Sequence, residues 1–266
     1  VIKLSAPATR EFWEIPILYE DPQLLALDKP AGLPIAPDRE DPGRSNLIGL
    51  LHRGIADAKP WATSRTLSYL MYAHRLDAEA SGILLLAKNK AVLAKLLDLF
   101  GSQQAKLAFV TLVQGAPLED QFSVDAKLAT NRIHGGRMRV DAKFGKRAHT
   151  DFKVLERFAG WTLLHCLALT HRPHQVRLHL GRAGFRVAGD EAYGGKPLWL
   201  SSLKPGYCLK PGHTERPLIG RACLHAESLS VTRPDTGEPL VVKAPWPKDL
   251  LVGIKYLRKY APALQR

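Results

Sequence analysis

Apolar residues alternate with polar ones, run together, or recur at helical spacing in separate stretches of this 266-residue chain. Residues 15–28, IPILYEDPQLLALD, read as two strands around a turn at Glu20-Asp21-Pro22. KPAGLPIAP follows, with three prolines and a glycine, and predicts a rigid loop. Short helices are expected over 44–54 and 61–71. The unbroken apolar run at 83–87, ILLLA, predicts a buried strand. Over 90–100, Val92, Leu93, Leu96, Leu97 and Phe100 fall at helical spacing, with Asn89 placed to cap the helix. LAFVTLVQG (107–115) then reads as another strand. HTDFKVLERF and WTLLHCLALT form a hairpin around Ala159-Gly160. A helix is expected over 173–183, with Pro173 in its first turn. Residues 194–221, rich in Gly, Pro and Lys, read as a long loop or insertion. LHAESLSVTRPDTGEPLVVKAP predicts a second hairpin, turning near Asp235-Thr236-Gly237. The tail from Lys248 to Arg266 reads as a basic terminal helix.

Strands outnumber helices and come mostly as hairpins. This points to an α+β fold with a largely antiparallel or mixed sheet, not a doubly wound nucleotide-binding fold. Neither GxGxxG after a strand nor GxxxxGK[ST] is present, so ATP and NAD sites have no support.

Charge narrows the function. Lys and Arg number 38 against 25 Asp and Glu, a formal net charge of +13. Such a surface suits a polyanion. Nucleic acid is favoured over membrane, because no run of about 18 apolar residues and no lipidation motif occurs. Cys166, Cys208 and Cys223 are odd in number and show no CxxC spacing, which argues against a disulfide framework and a thiolate zinc site. A reducing, cytoplasmic setting fits. The segment VIKLSAPATREFWEIP lacks the apolar core of a signal peptide.

The most distinctive stretch is AHRLDAEASGILLLAKNKAVL, residues 73–93. Its His74-Arg75-Leu76-Asp77, Ser81-Gly82 and following apolar strand ending Ala87-Lys88 resemble the active-site motif of the RluA family of RNA pseudouridine synthases. Three further blocks are similar to the same family, in the same order: LYEDPQLLALDKPAGLPIAP (18–37), LTHRPHQVRLHLGRAGFRVAGDEAYGG (169–195) and RACLHAESLSVTRPDTGEPLVVKAPWPKD (221–249). One HRLD is weak; four ordered blocks over nearly the whole chain are not. The resemblance implies the pseudouridine synthase catalytic fold, a mixed, mostly antiparallel bent sheet flanked by helices and loops. It implies one catalytic domain over 1–266. With the first motif starting near residue 15, no separate RNA-binding module is expected ahead of it.

The implied reaction detaches uracil from ribose at N1, turns it, and rejoins it through C5. This is an isomerisation, so no cofactor and no metal are expected. It needs an ionised carboxylate beside the ribose, as nucleophile or as base. The resemblance assigns that role to Asp77, and to Arg177 the role of the cation that keeps it charged. Val176 then lies near the uracil face. Arg75 helps fill the gap left by the flipped base, as a long planar cation can. His74 fixes the loop and, with Arg172, completes the implied RNA-contact set. Read singly, Asp77 is a turn cap and Arg177 a solvated helix residue; only the four-block pattern reverses that.

Phe109 departs from the family, which usually has Tyr there. A ring still stacks on uracil but offers no hydroxyl at C5; the plainer reading is a core phenylalanine. Ala80 stands where Thr is usual, and His171-Arg172-Pro173 where Gly-Arg-Thr is usual, which marks a divergent member. His171, His174 and His179 lack the i, i+4 spacing of a helical metal pair. Asp190-Glu191, flanked by glycines, reads as a turn. The basic stretches 130–147, where Arg132, Arg137, Arg139, Lys143, Lys146 and Arg147 face only Asp141, and 194–221 are the candidate RNA contacts. Two functions are in view: a monomeric synthase acting on ribosomal or transfer RNA, and a non-catalytic RNA-binding or chaperone protein on the same fold. Phe109 alone leans to the second.

Overall fold

The computed structural model describes every residue except 8, 39, 40, 211 and 264–266. Two compact units are present. Val1–Leu107, Asn131–Gly136 and Ala226–Pro245 form the first; Ala108–Thr130, Arg137–His225 and Trp246–Arg266 form the second. Elements are numbered in chain order as β1–β14 and α1–α5.

The first unit opens with a hairpin not anticipated from sequence, β1 (Ile2–Ala6) against β2 (Glu11–Ile15). Its alternation is short, but Ile2, Leu4, Ala6 and Ile15 are all buried. The expected pair β3 (Ile17–Glu20) and β4 (Leu24–Lys29) follows. Asp21 makes their turn: its Oδ1 accepts from the backbone N–H groups of Gln23 and Leu24, both at 2.7 Å. β4 pairs with β6 (Ser81–Ala87), and the sheet continues to β13 (Leu224–Thr232). β5 (Met71–Tyr72) adds to β6, and β14 (Pro239–Lys243) pairs with β13 through the expected hairpin.

Two helices of this unit follow their caps. α1 (Leu47–Ala56) starts where Asn46 Oδ1 accepts from Gly49 N at 2.9 Å. α3 (Lys90–Gly101) starts where Asn89 Oδ1 accepts from Val92 N at 2.9 Å, as expected. Val92, Leu96 and Phe100 face the core, whereas Leu97 is 50% exposed. The helix expected over 61–71 is only one turn, α2 (Pro60–Thr63). Thr66 adopts a left-handed φ of 53°, which ends any helical path.

The second unit holds β7 (Lys106–Gln114), β8 (Gln121–Thr130), β9 (Met138–Val140), β10 (Lys146–Phe158) and β11 (Trp161–Ala168), ordered β7-β11-β10-β8-β9. Strand β12 (Arg186–Val187) pairs with β7. β10 and β11 form the expected hairpin, with Gly160 at φ 78°. β8 and β9 turn the basic stretch after Thr130 into a paired excursion of the sheet rather than a bare loop. α4 (Gln175–Arg182) begins two residues after Pro173, because His174 sits left-handed at φ 54° and turns the chain just before the helix. α5 (Lys248–Tyr260) ends short of the expected Arg266; Pro262 instead bridges Phe158, and 264–266 lie outside the described residues. Among the described residues between 194 and 221, the chain is loop with an isolated bridge between Leu198 and Ile219.

Every strand pair with a register given above is antiparallel, and the fold is α+β as expected. Cys166, Cys208 and Cys223 are free, and burial pushes the Cys223 thiol up to about 12. Among the described residues, no helix is long and apolar enough to cross a membrane.

Two packing details carry predictions. Gly82 has φ +107°, and a Cβ there would lie 2.2 Å from the carbonyl oxygen of Ala226. Gly82→Ala therefore combines strained backbone with a clash against backbone, and is expected to cost about 3 kcal/mol by chemical denaturation. His179 is fully buried in α4, and neither ring nitrogen has a partner among the described residues. Burial pushes its pKa from 6.5 down to about 4. The unfolded chain thus takes up this proton first. Stability is full above pH 6.5 and falls as pH drops to about 4, by about 3 kcal/mol. Urea titrations across that range will show the loss, and His179→Phe will remove that part of it.

Candidate active site

Asp77 sits on the loop between β5 and β6, half-buried. Its own carbonyl accepts from Ala80 N at 3.1 Å, closing a tight turn immediately before β6. Ala78, the next residue, is clamped by the first-motif loop. Its carbonyl accepts from Gly32 N at 2.8 Å and from Lys29 Nζ at 3.2 Å. Lys29 has no exposed surface, and its ammonium also donates to the carbonyls of Pro30 and Leu33, both at 2.8 Å. Burying an ammonium is costly unless its protons are satisfied, so these bonds fasten the KPAG loop to the Asp77 loop.

His74 is buried on the other side of the turn. Its Nε2 accepts from Leu85 N on β6 at 3.1 Å, so the ring is neutral with its proton on Nδ1. The ring stacks on Phe100 of α3 with centroids 5.0 Å apart. His74 is thus a strut of the loop. Arg75, between strut and carboxylate, is exposed.

In the second unit, Arg177 lies on α4 with its side chain 1% exposed. Asp190, equally buried, receives two bonds from it: Nε to Oδ2 at 2.7 Å and an Nη to Oδ1 at 2.6 Å. This is the bidentate geometry that suits guanidinium and carboxylate. The Tyr193 ring lies 4.8 Å from the guanidinium carbon, as a cation–π wall. Tyr193 is itself pinned. Its hydroxyl accepts from Met138 N on β9 at 2.9 Å, and His174 Nδ1 lies 2.7 Å away. The turn before α4 is ordered by Gln175. Its Oε1 accepts from Thr170 Oγ1 and Arg172 N, and its Nε2 donates to His149 O and Thr150 Oγ1. Val176 is buried next to Arg177, and Arg172 is exposed with its Nε donating to Arg147 O at 3.2 Å. Phe109 is buried on β7.

The structure therefore gathers His74, Arg75 and Asp77 on one loop, and Arg172, Val176 and Arg177 on α4 and its lead-in. Sequence reading missed two partners. Asp190 reads there as a turn residue, and it does open a 3-10 turn (Glu191–Tyr193), but its carboxylate is committed to Arg177. Tyr193 carried no local signal at all. Among the described residues, no three His, Cys, Asp or Glu side chains are grouped to hold a metal ion.

Removing the acid of a buried pair leaves the cation poorly compensated. Asp190→Ala is expected to cost about 3 kcal/mol or more, seen as a lower denaturation midpoint. Asp190→Asn, which keeps shape and some hydrogen bonding, should cost less.

Comparison with known proteins fits this arrangement. The family model for RNA pseudouridylate synthase matches residues 23–181. Ribosomal large subunit pseudouridine synthase D of Nitrosomonas europaea is 34% identical over 242 residues, covering 91% of this chain and 65% of that protein. Ribosomal large subunit pseudouridine synthase C of Salmonella typhi is 33% identical over 247 residues, covering 92% and 70%. The chain thus spans about two thirds of these relatives' length. Two human structures, RNA Pseudouridylate Synthase Domain Containing 4 and 1, share the fold. Their TM-scores are 0.67 and 0.62 at 21% and 24% identity, over 91% and 87% of this chain and 92% and 83% of theirs. With its motif match covering more than half of its length and these relatives alongside, the chain belongs to the RNA pseudouridylate synthase family.

Proposed function

We propose that the protein isomerises particular uridines of structured ribosomal or transfer RNA to pseudouridine, with Asp77 as the catalytic carboxylate. The observation that carries this reading is the setting of Asp77. A half-buried carboxylate is held on a turn fastened by Lys29 and Gly32 on one side and by the His74 strut on the other. Such fixing supports reaction at one defined carbon or proton. Asp77 acts on the ribose, as nucleophile at C1′ or as base at C2′. The N1 glycosidic bond breaks, the C5 bond forms, and the proton lost from C5 is balanced by one gained at N1. No redox or energy-supplying cofactor enters this balance.

Arg177 is the second residue of the proposed catalytic set, its plane set by Asp190 and Tyr193. Val176 and the Phe109 ring contact the uracil. Phe109 has no hydroxyl, so another group or a water takes the C5 proton. Arg75, exposed beside the turn, occupies the place of the flipped base, and Arg172 contacts the backbone. His74 serves RNA binding only through the loop it braces. The enzyme works as a cytoplasmic monomer.

Unmodified RNA transcripts incubated with the purified protein, then mapped by carbodiimide adduct stops, test this directly. New stops with wild type and a loss of about 10³-fold or more in rate with Asp77→Asn are expected. Salt-sensitive RNA binding by both proteins without stops would overturn the catalytic reading and leave an RNA-binding protein on the same fold.

A further inference from the structure

The register of β8 and β10 sets Lys127 directly opposite Arg147. Directly opposed residues of an antiparallel pair share one face, and like charges there are destabilising. Two residues along on the same face, Asp125 opposes His149. That carboxylate is committed: its Oδ1 lies 2.7 Å from His149 Nδ1, while Asp151 meets the other ring nitrogen at 2.9 Å. These hydrogen bonds hold His149 above its ordinary pKa and engage both carboxylates. Among the described residues, neither acid comes within ion-pair distance of Lys127 or Arg147.

Arg182, from the last turn of α4, joins them at a groove of about 430 Å³ lined by Asp125, Ala126, Lys127, Val140, Arg147 and Arg182. Among the described residues, none of the three cations has a carboxylate within ion-pair distance. Some other cations of the unit are matched. Arg139 meets Asp141, Arg221 meets Asp249, and Arg258 meets Glu156. A sheet that places two cations opposite each other, and leaves a third beside them, retains a local cost that an anion would remove.

We propose that Lys127, Arg147 and Arg182 form a phosphate subsite that grips the backbone of the RNA. Phosphodiester oxygens accept from several cations at once, which a side-chain carboxylate does less well. The subsite rests on the reading that RNA is the substrate. It extends the footprint beyond the 130–147 and 194–221 stretches, since Lys127 and Arg182 lie in neither.

The test uses the full chain and a single-stranded RNA of fixed length and mixed sequence, with affinity measured by fluorescence anisotropy between about 50 and 250 mM KCl. Lys127→Thr, Arg147→Thr and Arg182→Gln are made singly and together. Each lost phosphate contact lowers the slope of log K against log salt by about 0.7, so the triple variant should lose about 2. The Tm of Lys127→Thr at low salt should equal or exceed that of wild type, because the opposition is relieved. Inorganic phosphate should raise the Tm of wild type more than that of the triple variant.

An unchanged slope in the triple variant overturns the subsite. If inorganic phosphate alone discriminates while RNA binding does not, the groove takes free anions and the RNA claim fails. A low-salt Tm that falls in Lys127→Thr shows that the lysine is compensated and removes the premise. Asp77→Asn should keep the wild-type slope. A wild-type protein that makes no pseudouridine but shows the slope difference overturns the enzymatic reading and leaves the subsite standing. Turnover with an unchanged slope does the reverse.

Discussion

Burial of the Arg177 guanidinium against Asp190 is the constraint on which the second unit is organised. Two side chains at 1% and 2% exposure carry opposite charges out of water. Desolvation of that kind costs several kcal/mol per ion, and is offset only when the geometry is close to ideal. The unit provides that geometry through backbone features with no other evident purpose. His174 takes a left-handed conformation to start α4 at the right residue, and a 3-10 turn brings Asp190 and Tyr193 to one side of the arginine. The guanidinium plane is consequently set before any substrate is present. Tyr193 extends the constraint, because its hydroxyl is bonded to the backbone of β9. The strand that contains Arg139 and follows Arg137 is tied to the same hub as the buried arginine.

The first unit solves a parallel problem with Lys29. Its ammonium is wholly buried, and its bonds to the Pro30, Leu33 and Ala78 carbonyls join two loops, the last carbonyl lying 49 residues further along the chain. Ala78 follows Asp77, so the Asp77 loop is held through the backbone of its next residue. The backbone of the Asp77 turn is thereby fixed. Gly82 completes the arrangement, since only a residue without Cβ lets β6 start this close to Ala226. The Ser81-Gly82 pair in the motif thus has a packing reason apart from any chemical one.

How much of this was legible in the sequence depends on how local the cause is. β6, α3 with its Asn89 cap, and the hairpins at Gly160 and Gly237 follow from short-range periodicity, caps and turn residues. The helix expected over 61–71 failed because periodicity alone does not reveal that Thr66 turns left-handed. Pro173 lay outside α4 for the same kind of reason at His174. The motif residues Asp77 and Arg177 were legible only through resemblance. Asp190 and Tyr193 were not, since an acid between two glycines has a sufficient local explanation as a turn. Its ion pair is a tertiary fact, set by where α4 packs.

The same distinction governs charge. A net charge of +13 suits a polyanionic partner but says nothing about which cations would meet it. In the fold, many are already answered: Lys88 and Arg65 share Glu20, and although burial works to raise the Glu20 pKa, their hydrogen bonds hold it below its ordinary value. Cations of this kind stabilise the protein and have little left to offer a phosphate. What separates a binding cation from a structural one is therefore the absence of a local answer, and that is readable only from register and packing. Lys127 and Arg147 are 20 residues apart in sequence, and only the pairing of β8 with β10 shows that they oppose each other and that Asp125 and Asp151 both meet His149. The Lys127–Arg147 opposition is such a case, legible in the register of the sheet and not in the sequence.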